Sequence, residues 1–215
     1  MATQVETLTV GPFEVNCYIV WNKDTRDGVI IDPGAEGARI AATVKSLGVK
    51  ILGILLTHGH VDHIGAVTEL KELYRVGLWT GDGEETLLLD PIANASAFLD
   101  EPVTTPPPDH KLIDEDVVSL GGIRLAVLST PGHTKAGVCY LEESDGLLFC
   151  GDTLFMGSIG RTDLLGGSTE VLLESIHSKI LTLPDGIVCY PGHGPRTTVG
   201  AERVNNPFLT GADFA

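Results

Sequence analysis

Apolar residues along the chain fall into short alternating or continuous runs, broken by stretches of helical spacing. The pattern predicts strands with helices packed outside them. Val5 to Val10 alternates, and Phe13 to Trp21 and Gly28 to Ile31 are rich in β-branched and aromatic residues. The polar stretch Asn22 to Asp27 suits a hairpin connection between the last two. Glu36 to Leu47 changes to helical spacing, with Ile40, Val44 and Leu47 on one face and Gly48 as the stop. Ile51 to Leu56 is a continuous apolar run suited to a buried strand, and it leads directly into Thr57-His58-Gly59-His60.

The middle of the chain is looser. Glu84 to Leu99 has helical character, interrupted by Pro91, and Glu101 to Asp109 holds four prolines and reads as a surface loop. Two hairpins follow: Val117–Leu120 and Ile123–Ser129 flank Gly121-Gly122, and Val138–Glu142 and Leu147–Cys150 flank Ser144-Asp145-Gly146. Ser168 to Leu181 predicts a helix capped by Ser168 or Thr169. Ile187 to Tyr190 predicts a strand ending at Pro191-Gly192-His193-Gly194. Two strand-rich blocks, each with helices outside it, suggest helices packed on a β-sandwich.

Composition narrows the function classes. With 215 residues, 43 % apolar and 20 % charged, the chain is expected to fold as a single globular domain over residues 1–215. No apolar run is long enough to span a bilayer, and the first residues lack the basic start and apolar core of a signal peptide. A cytoplasmic protein with no membrane partner is therefore expected. The formal charge of −15 repels phosphate backbones, so nucleic acid is not expected as a partner. Cys17, Cys139, Cys150 and Cys189 lie dispersed in apolar runs and read as small buried side chains.

Five of the seven histidines fall in three short motifs. In His58-Gly59-His60-Val61-Asp62-His63, residues two apart on an extended segment point the same way, so His58 and His60 can grip one ion. Asp62 and His63 can then face a second. His133 follows a strand and a Pro-Gly turn, Asp152 follows the strand ending at Cys150, and His193 follows the strand ending at Tyr190. An HxH pair alone carries little weight, but HxHxDH with three further His or Asp residues at strand ends is a strong signal. Five imidazoles and two carboxylates suit zinc or a similar borderline ion, with iron or manganese as alternatives. Seven ligands exceed one tetrahedral ion and match two divalent ions sharing a carboxylate. His110 and His177 match no motif and read as surface residues.

The runs THGHVDH, TPGH, GDTLF and PGHG resemble the motif set of the metallo-β-lactamase superfamily, over Phe13 to Leu209. The resemblance implies an α/β fold, the αββα four-layer sandwich. It assigns His58, His60 and His133 to the first ion, Asp62, His63 and His193 to the second, and Asp152 to the bridge. Asp62 and Asp152 become the catalytic carboxylates, Asp62 also positioning the attacking water. Asp32, in Ile31-Asp32-Pro33-Gly34, matches a position behind the ligands. Within the superfamily the chain is most similar to the short bacterial glyoxalase II-like forms, which share GDTLF, GRTD, PGHG and NPFL. That implies hydrolysis of hydroxyacylglutathione thioesters, a small-molecule substrate. Arg161 matches a basic residue that holds glutathione in the long forms. Two departures bear on that carrier: Asp163 stands where the long forms have tyrosine, and the C-terminal helical domain of the long forms is not expected after Leu209.

Two other activities share parts of this pattern. Persulfide dioxygenases, with one iron on the counterparts of His58, His133 and Asp152, resemble the chain in GRTD and TPGHT, but tend to carry Ala and Asp around the residue matching His193. The other alternative is a different hydrolase of the superfamily, a lactonase, a β-lactamase or an RNA-processing nuclease. The lack of a basic insertion argues against an RNA-processing nuclease.

Overall fold

The computed structural model describes residues 3–211. The first sheet runs in chain order. Strands β1 (Thr3–Val10), β2 (Val15–Asn22) and β3 (Asp27–Ile31) are antiparallel; β4 (Lys50–Leu55), β5 (Gly77–Gly81) and β6 (His110–Leu112) add in parallel. Parallel neighbours need crossovers. These contain α1 (Gly37–Leu47), α2 (Val61–Ile64), α3 (Val67–Tyr74) and α4 (Glu85–Leu89). The second sheet contains β7 (Val117–Leu120), β8 (Ile123–Ser129), β9 (Val138–Glu142) and β10 (Leu147–Gly151), joined by hairpins. A small hairpin of β11 (Leu154–Phe155) and β12 (Ser158–Ile159), then α5 (Thr169–Ser175), lead to β13 (Val188–Pro191), parallel to β10. Strand β14 (Thr197–Thr198) closes that edge, followed by α6 (Val199–Asn205) and α7 (Pro207–Thr210).

Alternation along the strands builds the four layers. In β2, Tyr18 and Val20 face the second sheet, where Leu125, Val127, Tyr140 and Phe149 meet them. Cys17, Ile19 and Trp21 face the other way, onto Ile40 and Val44 of α1 and Leu70 of α3. The second sheet repeats the arrangement: Cys139, Leu141, Leu148 and Cys150 pack outward against Leu172, Ile176 and Ile180. Both faces of each sheet are thus covered, which is why the strands read as continuous apolar runs. The architecture is the expected αββα sandwich of the metallo-β-lactamase fold. All four cysteines are buried and free.

Local sequence signals were met at Gly121-Gly122, where both residues have positive φ (56° and 84°) and turn β7 into β8. The side chain of Ser168 accepts a hydrogen bond from the Val171 amide and caps α5, which continues as a π-helical turn over Ile176–Ile180. The expected helix over Glu84–Leu99 is shorter. It stops at Leu89, because Asp90 and Pro91 end it and the Asn94 side chain bonds the Leu87 and Val103 carbonyls instead. Only a 3₁₀ turn at Ser96–Phe98 follows. His110 and His177 are exposed, as expected, although His110 stacks on Trp79. Among the described residues, no helix is long and apolar enough to cross a membrane.

Candidate metal centre

Four strand ends meet on one rim of the sandwich. The loop after β4 carries His58, His60, Asp62 and His63; those after β8, β10 and β13 carry His133, Asp152 and His193. The loop after β4 stays extended through His60, the residue preceding α2 (φ −67°, ψ 153°). This keeps His58 and His60 on one side, while the first turn of α2 swings Asp62 and His63 to the other.

His58, His60 and His133 form one group that could hold an ion, and Asp62, His63 and His193 another. His133 Nε2 lies 2.9 Å from His60 Nδ1 and 3.2 Å from His58 Nε2. Three nitrogens on a tetrahedral ion, each about 2.0–2.1 Å from it, stand about 3.3 Å apart. His133 Nδ1 donates to the Arg161 carbonyl at 2.7 Å, which assigns the proton to Nδ1 and turns the Nε2 lone pair inward. In the second group, Asp62 Oδ2 is 3.1 Å from His193 Nε2 and 3.7 Å from His63 Nε2. Asp152 touches both groups: Oδ1 is 3.3 Å from His63, and Oδ2 is 3.6 Å from His193 and 3.7 Å from His133. His63 Nε2 and Asp152 Oδ1 are buried without a hydrogen-bond partner. Buried polar atoms rarely stay orphaned, and a shared cation satisfies them. The residues therefore fit divalent metal ions.

The electrostatics divide along the same line. Burial, then the neighbouring imidazoles, push His58 well below the usual histidine range and His60 down to about 4, so both are neutral and available as ligands. For His63 burial acts downward too, but Asp62, Asp152 and Asp32 outweigh it and raise its pKa. Burial would raise Asp62 and Asp152, yet the facing histidines hold both carboxyls below their ordinary value.

Several residues that no motif singled out hold this rim together. Glu84 is completely buried. Its Oε2 accepts from the Gly59 amide (2.8 Å), and its Oε1 accepts from the Thr134 hydroxyl (2.7 Å) and the Ala136 amide (3.1 Å). One carboxylate thus ties the loop of His58 and His60 to the loop of His133. Gly59 is set by a close approach, since a Cβ there would stand 2.7 Å from Leu87 Cβ. Asn16 donates to the Pro191 and Gly194 carbonyls and fixes the loop of His193 against β2. A Cβ on Gly192 would stand 2.1 Å from Asp152 Oδ1, so no side chain fits there. Glu84 has no sequence signal, because a charged residue at the start of a helix looks solvated. Asn16 had one, a polar residue inside an apolar strand.

Asp32 lies directly behind the centre. Its carboxylate accepts from the Thr57 amide (2.8 Å) and hydroxyl (2.6 Å), and Oδ2 is 3.0 Å from His63 Nδ1. It does so from a left-handed backbone (φ 51°), uncommon outside glycine. Arg161 lies at the rim of a cleft of about 610 Å³ that contains His60, Asp62, His133, Asp152 and His193. Its guanidinium is already engaged: Nε and one terminal nitrogen bond both oxygens of exposed Asp163, at 2.8 and 2.9 Å.

Comparison with known proteins extends the picture. Residues 10–193 match the family model of the metallo-beta-lactamase superfamily. The chain is 42 % identical over 205 residues to the probable metallo-hydrolase YqgX of Bacillus subtilis (strain 168), covering 95 % of this chain and 96 % of that one. It is 36 % identical over 215 residues to the hydroxyacylglutathione hydrolase GloC of Haemophilus influenzae, covering 95 % and 97 %. Among solved structures it is similar to the B3 metallo-beta-lactamase BLEG-1 (TM-score 0.92, 41 % identity, 96 % of this chain and 100 % of that one). It is also similar to TTHA1623 in a di-iron-bound form (0.86, 36 %, 95 % and 100 %), and to ETHE1 from Myxococcus xanthus (0.81, 27 %, 98 % and 86 %). With the family model spanning most of its length and the His/Asp cluster assembled at the rim of the sandwich, this chain belongs to the metallo-beta-lactamase superfamily of metallo-hydrolases.

Proposed function

We propose that this protein is a thioester hydrolase dependent on two divalent ions, zinc in the first instance, with hydroxyacylglutathiones such as S-lactoylglutathione as its substrate class. The single observation that carries the two-ion reading is the position of Asp152, within 3.7 Å of His133 on one side and of His63 and His193 on the other. A mononuclear iron site on His58, His133 and Asp152 would leave His60, Asp62, His63 and His193 without a task. Similarity to GloC over nearly the whole chain supports a thioester as substrate.

Divalent ions bound here would supply Lewis acidity, polarising the thioester carbonyl and acidifying water towards neutrality. The chain's own residues do the rest. His133 is held in one tautomer by the Arg161 carbonyl. His63 is backed by Asp32. Asp62, kept ionised by His63 and His193, accepts a hydrogen bond from the attacking water and aims it. Water adds to the carbonyl carbon, the C–S bond breaks with its electron pair on sulfur, and the products are a carboxylic acid and a thiol. Thiols ionise near pH 8.5, about seven units below water, so sulfur departs readily. Arg161, at the cleft rim, faces the thiol-carrier arm.

The test is to measure initial rates of the metal-loaded protein on S-lactoylglutathione beside an uncharged thioester, with metal analysis of the same sample. Two ions per chain and thioester cleavage are expected. One iron per chain, with oxygen uptake on a persulfide and no thioester cleavage, would overturn the reading.

A further inference from the structure

The cleft has a second chamber. Next to Asp62 lies a side cavity of about 290 Å³, walled by Val10, Pro12, Phe13, Ala35, Leu99 and Val103. It shares Phe13, Val61, Asp62 and Leu99 with the main cleft, so the two spaces adjoin at the second group of metal-site residues. Ser158 and Arg161 line the main cleft and not the side cavity. Among the described residues, no lysine, arginine or histidine lines the cavity. Its rim carboxylate, Glu36, is engaged by the Gly11 amide and by Arg39. An anionic group at the end of the acyl chain would lie among apolar walls beside Glu36, whose partner Arg39 is already engaged, whereas an uncharged aliphatic chain matches those walls.

We infer that this cavity receives the acyl chain of the thioester, and that the preferred substrates carry uncharged aliphatic acyl groups longer than acetyl or lactoyl. The inference rests on the thioesterase reading and deepens it. With the carbonyl at the metal centre, a thioester has two arms. The carrier arm lies towards Ser158 and Arg161, where polar groups are found. The acyl arm passes Asp62 into the side cavity, whose walls beyond Asp62 and Glu36 are apolar. Each methylene moved from water to such a wall is expected to raise kcat/KM about two- to fourfold, until the cavity is full.

The test uses thioesters of one uncharged thiol, N-acetylcysteamine, with acetyl, butanoyl, hexanoyl, octanoyl and succinyl groups, and the metal-loaded protein. Specificity should climb from acetyl to hexanoyl by about tenfold or more, and succinyl should fall below butanoyl. Calorimetry with the matching non-hydrolysable ketone thioethers should show the same order of affinity. Ala35→Phe, which fills the cavity, should collapse the hexanoyl-to-acetyl ratio towards one. Phe13→Ala, at a half-exposed position where folding is not at stake, should lower that ratio at unchanged metal content. A flat profile from acetyl to octanoyl, or a ratio unmoved in both variants, would overturn the inference while leaving the thioesterase reading intact. Cleavage of none of the thioesters, S-lactoylglutathione included, would remove both.

Discussion

Replacing Glu84 by glutamine tests whether one buried carboxylate organises the metal centre. The three donors converging on it are the Gly59 and Ala136 amides and the Thr134 hydroxyl. A glutamine amide has the same shape but presents one acceptor and one donor. If its NH₂ takes the Oε2 place, the Gly59 N–H faces a donor. If it takes the Oε1 place, Thr134 can turn and accept, but the Ala136 N–H loses its partner. Either way one buried N–H is orphaned, at about 1–3 kcal/mol. For a chain of this size that corresponds to a fall in Tm of roughly 2–12 °C. Alanine would orphan all three donors, at about 1–3 kcal/mol each, against a total stability of about 5–15 kcal/mol. Glutamine is therefore the informative change. Because Gly59 lies between His58 and His60, and Thr134 follows His133, the disturbance should also reach the metal. Loss of such a supporting contact typically weakens affinity about 10- to 100-fold. Calorimetry of the metal-free protein and chelator competition on the loaded protein read the two effects separately. Unchanged Tm and unchanged affinity in Glu84→Gln would show that the clasp does not hold the loops.

Asp152→Ala should lose metal and activity together, by metal analysis and thioester assay, and a variant retaining both would remove Asp152 from the bridge. Arg161→Ala should raise KM for a glutathione thioester with kcat and metal content unchanged, but only by about two- to fivefold, the scale of an exposed charge contact. Asp163→Asn, which frees the guanidinium, should lower that KM, and equal shifts on an uncharged thioester would make the pair structural. Metal removal by chelation should lower Tm, since ions that bind only the folded state stabilise it by mass action. The metal-free protein should be most stable near pH 6.5. Below that value, His58, His60 and His133, whose folded pKa values are lowered chiefly by burial, must charge at a cost in stability, which falls down to about pH 4 for His60. Above it, His63 and His193, whose folded values are raised by facing carboxylates against burial, lose the stabilisation they supply when protonated. A Tm of the metal-free protein that climbs steadily to pH 8.5 would contradict this balance.

The sequence alone pointed to a His/Asp cluster suited to divalent ions and to the layer plan. Histidine and aspartate spacing, such as His58-Gly59-His60-Val61-Asp62-His63, is a local property, and so is the alternation that sends Tyr18 and Val20 to one face of β2 and Cys17 and Ile19 to the other. The family motifs then added the sandwich. Short elements were less legible. Strand β5 and helices α2 and α3 were not anticipated; α2, at four residues, is too short to show a period, whereas α3 carries one in Val67 and Leu70 that went unread. What the tertiary structure alone decided are the relations between distant residues: Glu84 reaching Gly59 and Ala136, and Asn16 reaching Pro191 and Gly194. A charged side chain such as Glu84 reads as solvated, because local sequence does not encode burial. Burial arises only when two sheets close on each other, and it turns Glu84 from a solvated charge into a clasp and leaves an apolar cavity beside Asp62.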